Sequence, residues 1–269
     1  MSEHIILFLV SLLANFLSAL AGGGAGLLQL PALIFLGLPF ATAMATHKIA
    51  TVTLGMGASI KHLKAGTLDV RFAGFILLAG LPGVIIGAVG AVHLPETLAK
   101  TCLGVLTLSL GIYSWRNKQL GQTAEILNRQ GSGLWLGAWV IFIIGVLNGA
   151  LASGTGLFVT LWLIRWFGLD YKQAVAYTMI LVGLFWNGSG ALAVNALSPA
   201  QWNWLPALIL GSLLGGYAGT HIAILKGNAF IKKCLKYSRW QAGFGCSGMP
   251  GRIICPLKPT HIHLKEPPD

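Results

Sequence analysis

The stretch "AGGGAGLLQLPALIF", Ala21 to Phe35, interrupts sequence that otherwise reads as membrane helix. Four of the five residues from Gly22 to Gly26 are glycine. Each glycine inside a helix costs about 1 kcal/mol relative to alanine. A chain that had only to cross a bilayer here would gain nothing from them. The apolar arm that follows, residues 27–37, would make a helix of roughly 16 Å, about half the depth of a bilayer core. The stretch therefore predicts a helix broken within the membrane, with a half-length arm beyond the break.

The surrounding composition agrees with a membrane setting. The chain of 269 residues is 55% hydrophobic and 9% charged, with a mean hydropathy of +0.75, whereas a soluble domain carries about 25% charged residues. Apolar arms occupy 5–21, 27–37, 41–60, 72–94, 97–115, 134–152, 157–167, 174–197 and 203–225. The alternating pattern of a membrane β-barrel is absent. Ala19-Leu20-Ala21 looks like a signal-peptide cleavage site, but Glu3 and His4 precede it and no Lys or Arg does, so the first arm reads as structural. The fold expected is an all-α polytopic membrane protein of roughly seven to nine arms.

The broken arm has a counterpart. "ASGTGLF", Ala152 to Phe158, also precedes an arm of eleven residues, 157–167. "LGLPFATAMATHK" (Leu36–Lys48) lines up with "FGLDYKQAVAYTM" (Phe167–Met179), and "GVIIGAVGA" (Gly83–Ala91) with "GSLLGGYAG" (Gly211–Gly219). Asn15 and Asn148 both lie shortly before their breaks. This is an internal duplication. It divides the chain into a first membrane repeat, 1–115, a loop, 116–133, a second membrane repeat, 134–235, and a polar basic tail, 236–269.

Charge orients the repeats. Lys61, Lys64 and Arg71, then Arg116, Lys118 and Arg129, then Arg165 and Lys172, fill alternate gaps, and the tail is basic throughout. The turns near Pro39, Pro95 and Ser198 carry no Lys or Arg. Positive residues stay on the cytoplasmic side. If the broken arms count as down-and-back pairs, the N-terminus is outside and the loop 116–133 and the tail are cytoplasmic. Arms 41–60 and 174–197 then run in opposite directions, so the two repeats are inverted, with glycine-broken, re-entrant or half-length helices. Such breaks meet near the midplane in secondary transporters and offer helix N-termini to an anion. Packing alone is the other reading of glycine in membrane helices. It suits Gly83, Gly87, Gly211, Gly215 and Gly219, which recur every fourth residue.

Several function classes fall away. The net charge is +11, but it rests on membrane flanks and tail, not on a soluble basic fold, so nucleic acid is not an expected partner. Cys234, Cys246 and Cys255 with His261 and His263 do not have zinc-site spacing, and neither a metal nor a cofactor is expected. No Gly-x-Ser-x-Gly elbow, His-Glu-x-x-His helix or paired intramembrane aspartate suggests an enzyme.

"GGGAGLLQLPALIFLGLPFATAMATHKIATVTLGMGASIKHLKAGTLD" (Gly22–Asp69) resembles the first repeat of the sulfite exporter TauE/SafE family, and "NGALASGTGLFVTLWLIRWFGLDYKQAVAYT" (Asn148–Thr178) resembles the second. The likeness covers about residues 5–233. It implies a multi-pass permease of the cell inner (plasma) membrane that moves sulfite, sulfonates such as sulfoacetate, or related anions by alternating access. A small anionic substrate and the lipid bilayer are the partners implied, with oligomerisation left open. An anion channel or a permease for small carboxylates is the alternative.

This chain departs from the pattern in two places. Ser153 and Thr155 thin the second glycine cluster, and Tyr177 stands where the first repeat has Thr46, so the second half-site is expected to bind through hydroxyls. Beyond Lys236 the closing helix that the family implies is not legible. Pro250, Pro256, Pro259, Pro267 and Pro268 punctuate the tail, which reads as disordered or foreign to the fold.

The expected substrate-binding residues are Gly22, Gly23, Gly24, Gly26, Gln29, Thr46, His47 and Lys48 from the first repeat. The second repeat supplies Ser153, Gly154, Thr155, Gly156 and Asn187. Lys48 carries the sharpest expectation. A charge at membrane depth needs an aqueous path or a partner, and no Asp or Glu lies inside an arm except Glu96 at an end. The substrate anion would fill that role; snorkelling to the near interface is the plainer reading. His47, of a residue type that titrates near neutrality, is a candidate for a coupling proton or simply a neutral hydrogen-bonded side chain.

Overall fold

A computed structural model describes residues 2–64, 68–116 and 124–244. Its elements follow the apolar arms closely. Helix α1 spans Ser2–Ala21, and after the first break a single 3-10 turn, Ala25–Leu27, leads into α2, Gln29–Phe35. Then come α3, Phe40–Lys64, α4, Val70–Val92, and α5, Glu96–Arg116. After the loop, α6 spans Gly131–Leu151 and, past the second break, α7 spans Thr155–Arg165. The next arm is one rod in three pieces: α8, Tyr171–Tyr177, a π-helical stretch, Thr178–Trp186, and α9, Asn187–Leu197. Helix α10, Leu205–Phe244, closes the described chain. It carries the first nine residues of the tail as helix; residues 245–269 lie outside the described residues, so the expectation for them stands apart.

Local chemistry explains the boundaries. The first break is left-handed at Gly22, Gly23 and Gly24, with φ of 80°, 123° and 105°, a region that only glycine visits freely. The second break uses Ala152 at φ 55° and Gly154 at φ 70°. The half-length helices both end on a left-handed glycine, Gly37 and Gly168, as helix C-termini commonly do. Leu38 N–H returns to Leu33 O and Leu169 N–H to Leu163 O. Asp69 caps α4 by accepting from the Arg71 amide at 2.9 Å, and Asp170 caps α8 by accepting from the Gln173 amide at 2.7 Å.

Two parallel helix pairs form the frame. In one, α10 lies along α1, with Gly211, Gly215 and Gly219 set against the backbones of Phe8, Leu12 and Phe16. In the other, α4 lies along α6, with Gly83 and Gly87 against Phe142 and Val146, and Gly145 and Gly149 against Gly80 and Val84. A Cβ at any of these positions would run into the facing backbone. The glycines every fourth residue are thus packing devices, as expected. Between the pairs, α3 crosses the three-piece rod antiparallel. Lys48 meets Gly190, Thr51 meets Asn187 and Gly55 meets Gly183.

The surface is inverted relative to a soluble protein. Ile5, Leu9 and Leu13 on α1, Leu78 and Ile86 on α4, and Trp135 and Trp139 on α6 face outward. Ser11, Asn15, Gln29, Thr46, His47, Lys48, Thr51 and Asn148 are buried. Among the described residues, five helices are long and apolar enough to cross a membrane, and Ala25–Phe35 and Thr155–Arg165 are shorter apolar helices. Helix α3 is long enough but too polar to count, because its polar side is shielded by its neighbours.

Candidate functional site

The two breaks meet. A methyl group at Gly23 would strike the backbone of Gly156, and one at Gly26 would strike Ala152 O and Ser153 Cα. At the breaks Gly24-Ala25-Gly26-Leu27 lines up with Gly154-Thr155-Gly156-Leu157, one residue out of step with the later segments, which sets Gly23 against Ser153, Gly26 against Gly156 and Ser18 against Asn148. The contact is therefore made twice, once in each sense. Around it lies a small cavity, with about 30 Å³ of room for the centre of a water-sized sphere. That is space for two or three waters, or for one small oxyanion.

Eight of the thirteen expected site residues line this cavity: Gly23, Gly24, Gly26, His47, Gly154, Thr155, Gly156 and Asn187. Helix α7 opens directly on it. Its N-cap, Gly154, supplies no side-chain cap, so the first amides of α7 keep their donors and the positive end of the helix faces the cavity. The 3-10 turn that begins at Ala25 also starts from a glycine without a side-chain cap, Gly24.

The other five lie behind the wall. Gly22 O accepts from Thr160 Oγ1. Gln29 is fully buried and joins a polar cluster in which Oε1 accepts from Asn15 Nδ2 at 3.2 Å and pairs with His47 Nδ1 at 3.1 Å. With Gln29 Oε1 as acceptor, His47 Nδ1 donates, and the other ring nitrogen, Nε2, faces the Ala152 carbonyl. Gly26 sits close to that Nε2. Thr46 faces away from the cavity: its hydroxyl donates to Thr42 O at 2.7 Å and accepts from the Gln201 amide at 2.9 Å. Ser153 is buried, with no hydrogen-bond partner for its hydroxyl among the described residues.

Lys48 differs most from expectation. It has no exposed surface, so it does not snorkel. Its ammonium donates to Asn148 O at 2.9 Å and to Asn148 Oδ1 at 3.3 Å. Asn148 lies in the last turn of α6, where helix carbonyls carry partial negative charge. The partner that carboxylates fail to provide is thus a helix end. Asn148 itself lines the cavity, and its Nδ2 donates to Thr155 Oγ1 at 2.8 Å. Lys48 accordingly holds the second break from behind.

Residues outside the expected set also line the cavity: Ser18, Thr51, Leu54, Asn148, Thr178, Met179, Val182 and Gly183. Thr51 follows His47 by one helical turn and could have been found by that spacing. Ser18 could have been found by the duplication, because it stands where the second repeat has Asn148. Nothing in the sequence signals the π-helical stretch that brings Thr178, Met179, Val182 and Gly183 to the same wall.

The sulfite exporter TauE/SafE family matches residues 7–236, most of the chain. The chain belongs to that family. Its relatives include a probable membrane transporter protein of Haemophilus influenzae, 29% identical over 231 residues, covering 84% of this chain and 88% of that one. A probable membrane transporter protein, ORF9, of Sinorhizobium sp is 26% identical, covering 85% and 86%. The probable membrane transporter protein YfcA of Escherichia coli K12 is 25% identical, covering 84% and 83%. No solved structure matches. As a TauE/SafE protein with several apolar helices, the chain is a multi-pass membrane transporter. The family match ends at residue 236, where the polar tail begins.

Proposed function

We propose that this TauE/SafE protein is a secondary transporter of small anions of the inner (plasma) membrane, built from two inverted repeats and working by alternating access. The observation that carries the reading is the meeting of the two breaks around one cavity, with an uncapped helix start aimed into it. The inversion is supported by the antiparallel crossing of α3 with the rod 171–197, since these are duplicated segments. It is also supported by the paired contacts Gly23 with Gly156 and Gly26 with Ser153. With the N-terminus outside, every basic gap faces the cytoplasm.

The substrate that suits the cavity is an oxyanion of sulfite size. Backbone amides and hydroxyls at the breaks would hold its oxygens, and no acidic side chain among the described residues lines the cavity to repel it. The cavity is tight for a sulfonate with a carbon chain, and the name of the matching family supports sulfite as the first candidate. His47 would carry the coupling proton: protonation at Nε2 would turn it into a cation beside the anion, and loss of the proton would weaken the hold. The chain has no enzymatic role in this account.

Counterflow in proteoliposomes tests the reading. Vesicles loaded with unlabelled sulfite should take up labelled sulfite transiently against its gradient. Sulfite-dependent conductance without exchange would favour an anion channel, and the absence of both would refute transport of this anion.

A further inference from the structure

The duplication makes a comparison that isolates one position. Thr46 and Tyr177 are matched in sequence, and the structure uses them alike. Thr46 Oγ1 accepts the backbone amide of Gln201, just before the α10 region, at 2.9 Å. Tyr177 OH accepts the backbone amide of Asp69, just before α4, at 2.7 Å. Two residues on, the match breaks: the first repeat has Lys48 and the second has Met179. Lys48 places its ammonium on the carbonyl end of α6 at Asn148. The residue matched to Asn148 is Ser18, in the last turn of α1, and no ammonium among the described residues reaches its hydroxyl.

Ser18 is 3% exposed, faces the cavity, and its hydroxyl has no partner among the described residues. A buried hydroxyl left unpaired is destabilising unless something binds it. The helix end beside it is partly occupied, with Ser18 O taken by the Gly23 amide and Ala21 O by the Tyr171 hydroxyl. Thr51 and Thr178 bring two further hydroxyl oxygens to the same wall. Their protons go to His47 O and to Ala174 O, and each oxygen accepts one bond, from Asn187 Nδ2 and from Thr160 Oγ1, which leaves one lone pair on each for a further partner.

We propose that the carbonyl end of α1, with the Ser18 hydroxyl, binds a small monovalent cation, in the position that the Lys48 ammonium fills in the other half. Hydroxyl and carbonyl oxygens are the ligands that hard cations take. The ends of broken helices serve this purpose in transporters. One half of the site thus carries its cation covalently and the other takes it from solution. A cation bound here would lie in the wall of the cavity that takes the anion and offset its charge, so the two would bind together. This inference rests on the transporter reading and names its coupling ion as one distinct from the proton assigned to His47.

The test is the thermal stability of the purified full chain in detergent, in NaCl against choline chloride at equal ionic strength, each with and without sulfite. The wild type should melt higher in Na+, with saturation. Ser18→Ala should weaken the apparent Na+ affinity at least tenfold, while Ser59→Ala, whose hydroxyl is satisfied by Gly55 O, should leave it intact. Met179→Lys should place a tethered ammonium at α1 and make the melting point indifferent to Na+. Equal melting of the wild type in both salts, or a full Na+ response in Ser18→Ala, would overturn the cation site. If sulfite stabilises the wild type equally in both salts and Na+ has no effect, the anion site survives and the cation site falls. A Na+ response that Ser18→Ala removes, with no sulfite response, upholds the cation site and removes the anion reading.

Discussion

At the scale of single residues, Lys48 shows how a membrane interior satisfies a charge without a carboxylate. Its ammonium is bound by the carbonyl and side chain of Asn148 at the end of α6. Hydrogen bonds to charged groups contribute about 1.5–3 kcal/mol. Lys48→Met, which keeps most of the volume, should therefore lower the melting temperature in detergent by several degrees and slow transport, because the second break loses its support. An unchanged melting temperature would mean that Asn148 does not depend on Lys48. The glycines of the first break give a second contrast. Gly23 has φ 123° and its Cβ would lie 2.6 Å from Gly156, whereas Gly37 has φ 98° and open space around it. Gly37→Ala should cost about 1–2 kcal/mol, the strain of the left-handed region alone. Gly23→Ala should abolish transport and sharply reduce the yield of folded protein, as read by size-exclusion chromatography.

At the scale of elements, the two glycine seams hold α1 to α10 and α4 to α6. Helices in lipid associate through close contact, since lipid offers no hydrophobic drive. Gly87→Ala would push a methyl into Val146 O and should part α4 from α6, while Gly90→Ala, three residues on, meets open space. Loss of folded protein in the first and wild-type or slightly raised melting in the second is the expected pair of outcomes. A neutral Gly87→Ala would contradict the seam. This level of structure was the most legible in the sequence, because apolar length and glycine spacing act locally: the ends of α1, α3, α6 and α7 fall within a few residues of the arms. The π-helical stretch Thr178–Trp186 was not legible. It lies at the crossing with α3, where Gly183 meets Gly55, and no local pattern encodes that contact. For the same reason the site was read in part. The breaks announce themselves by composition, but Gln29, Thr46 and Lys48 turned to protein partners, and Met179 reached the cavity only through tertiary packing.

At the scale of the whole molecule, the proposed inverted topology draws on duplication, antiparallel crossing and charge asymmetry. Single cysteines on a background free of native cysteine should label accordingly. At His4 and Asn203 they should react from outside, and at Ile126 only from the cytoplasmic side. Labelling of Ile126 and Asn203 from the same side would break the inverted arrangement. The proposed arrangement matters because it would bring two unlike half-sites to one cavity. One is braced by Lys48 behind Asn148, and the other is open at Ser18. The most direct measurement is equilibrium binding of labelled sulfite to the purified protein, comparing wild type, Gly156→Val and Gly90→Ala. Gly156 lines the cavity and lies against Gly23, so the valine would fill the space proposed for the anion. Saturable binding in wild type and Gly90→Ala, lost in a folded Gly156→Val, is the result predicted. Undiminished binding in Gly156→Val would contradict the claim that the paired breaks form the anion site.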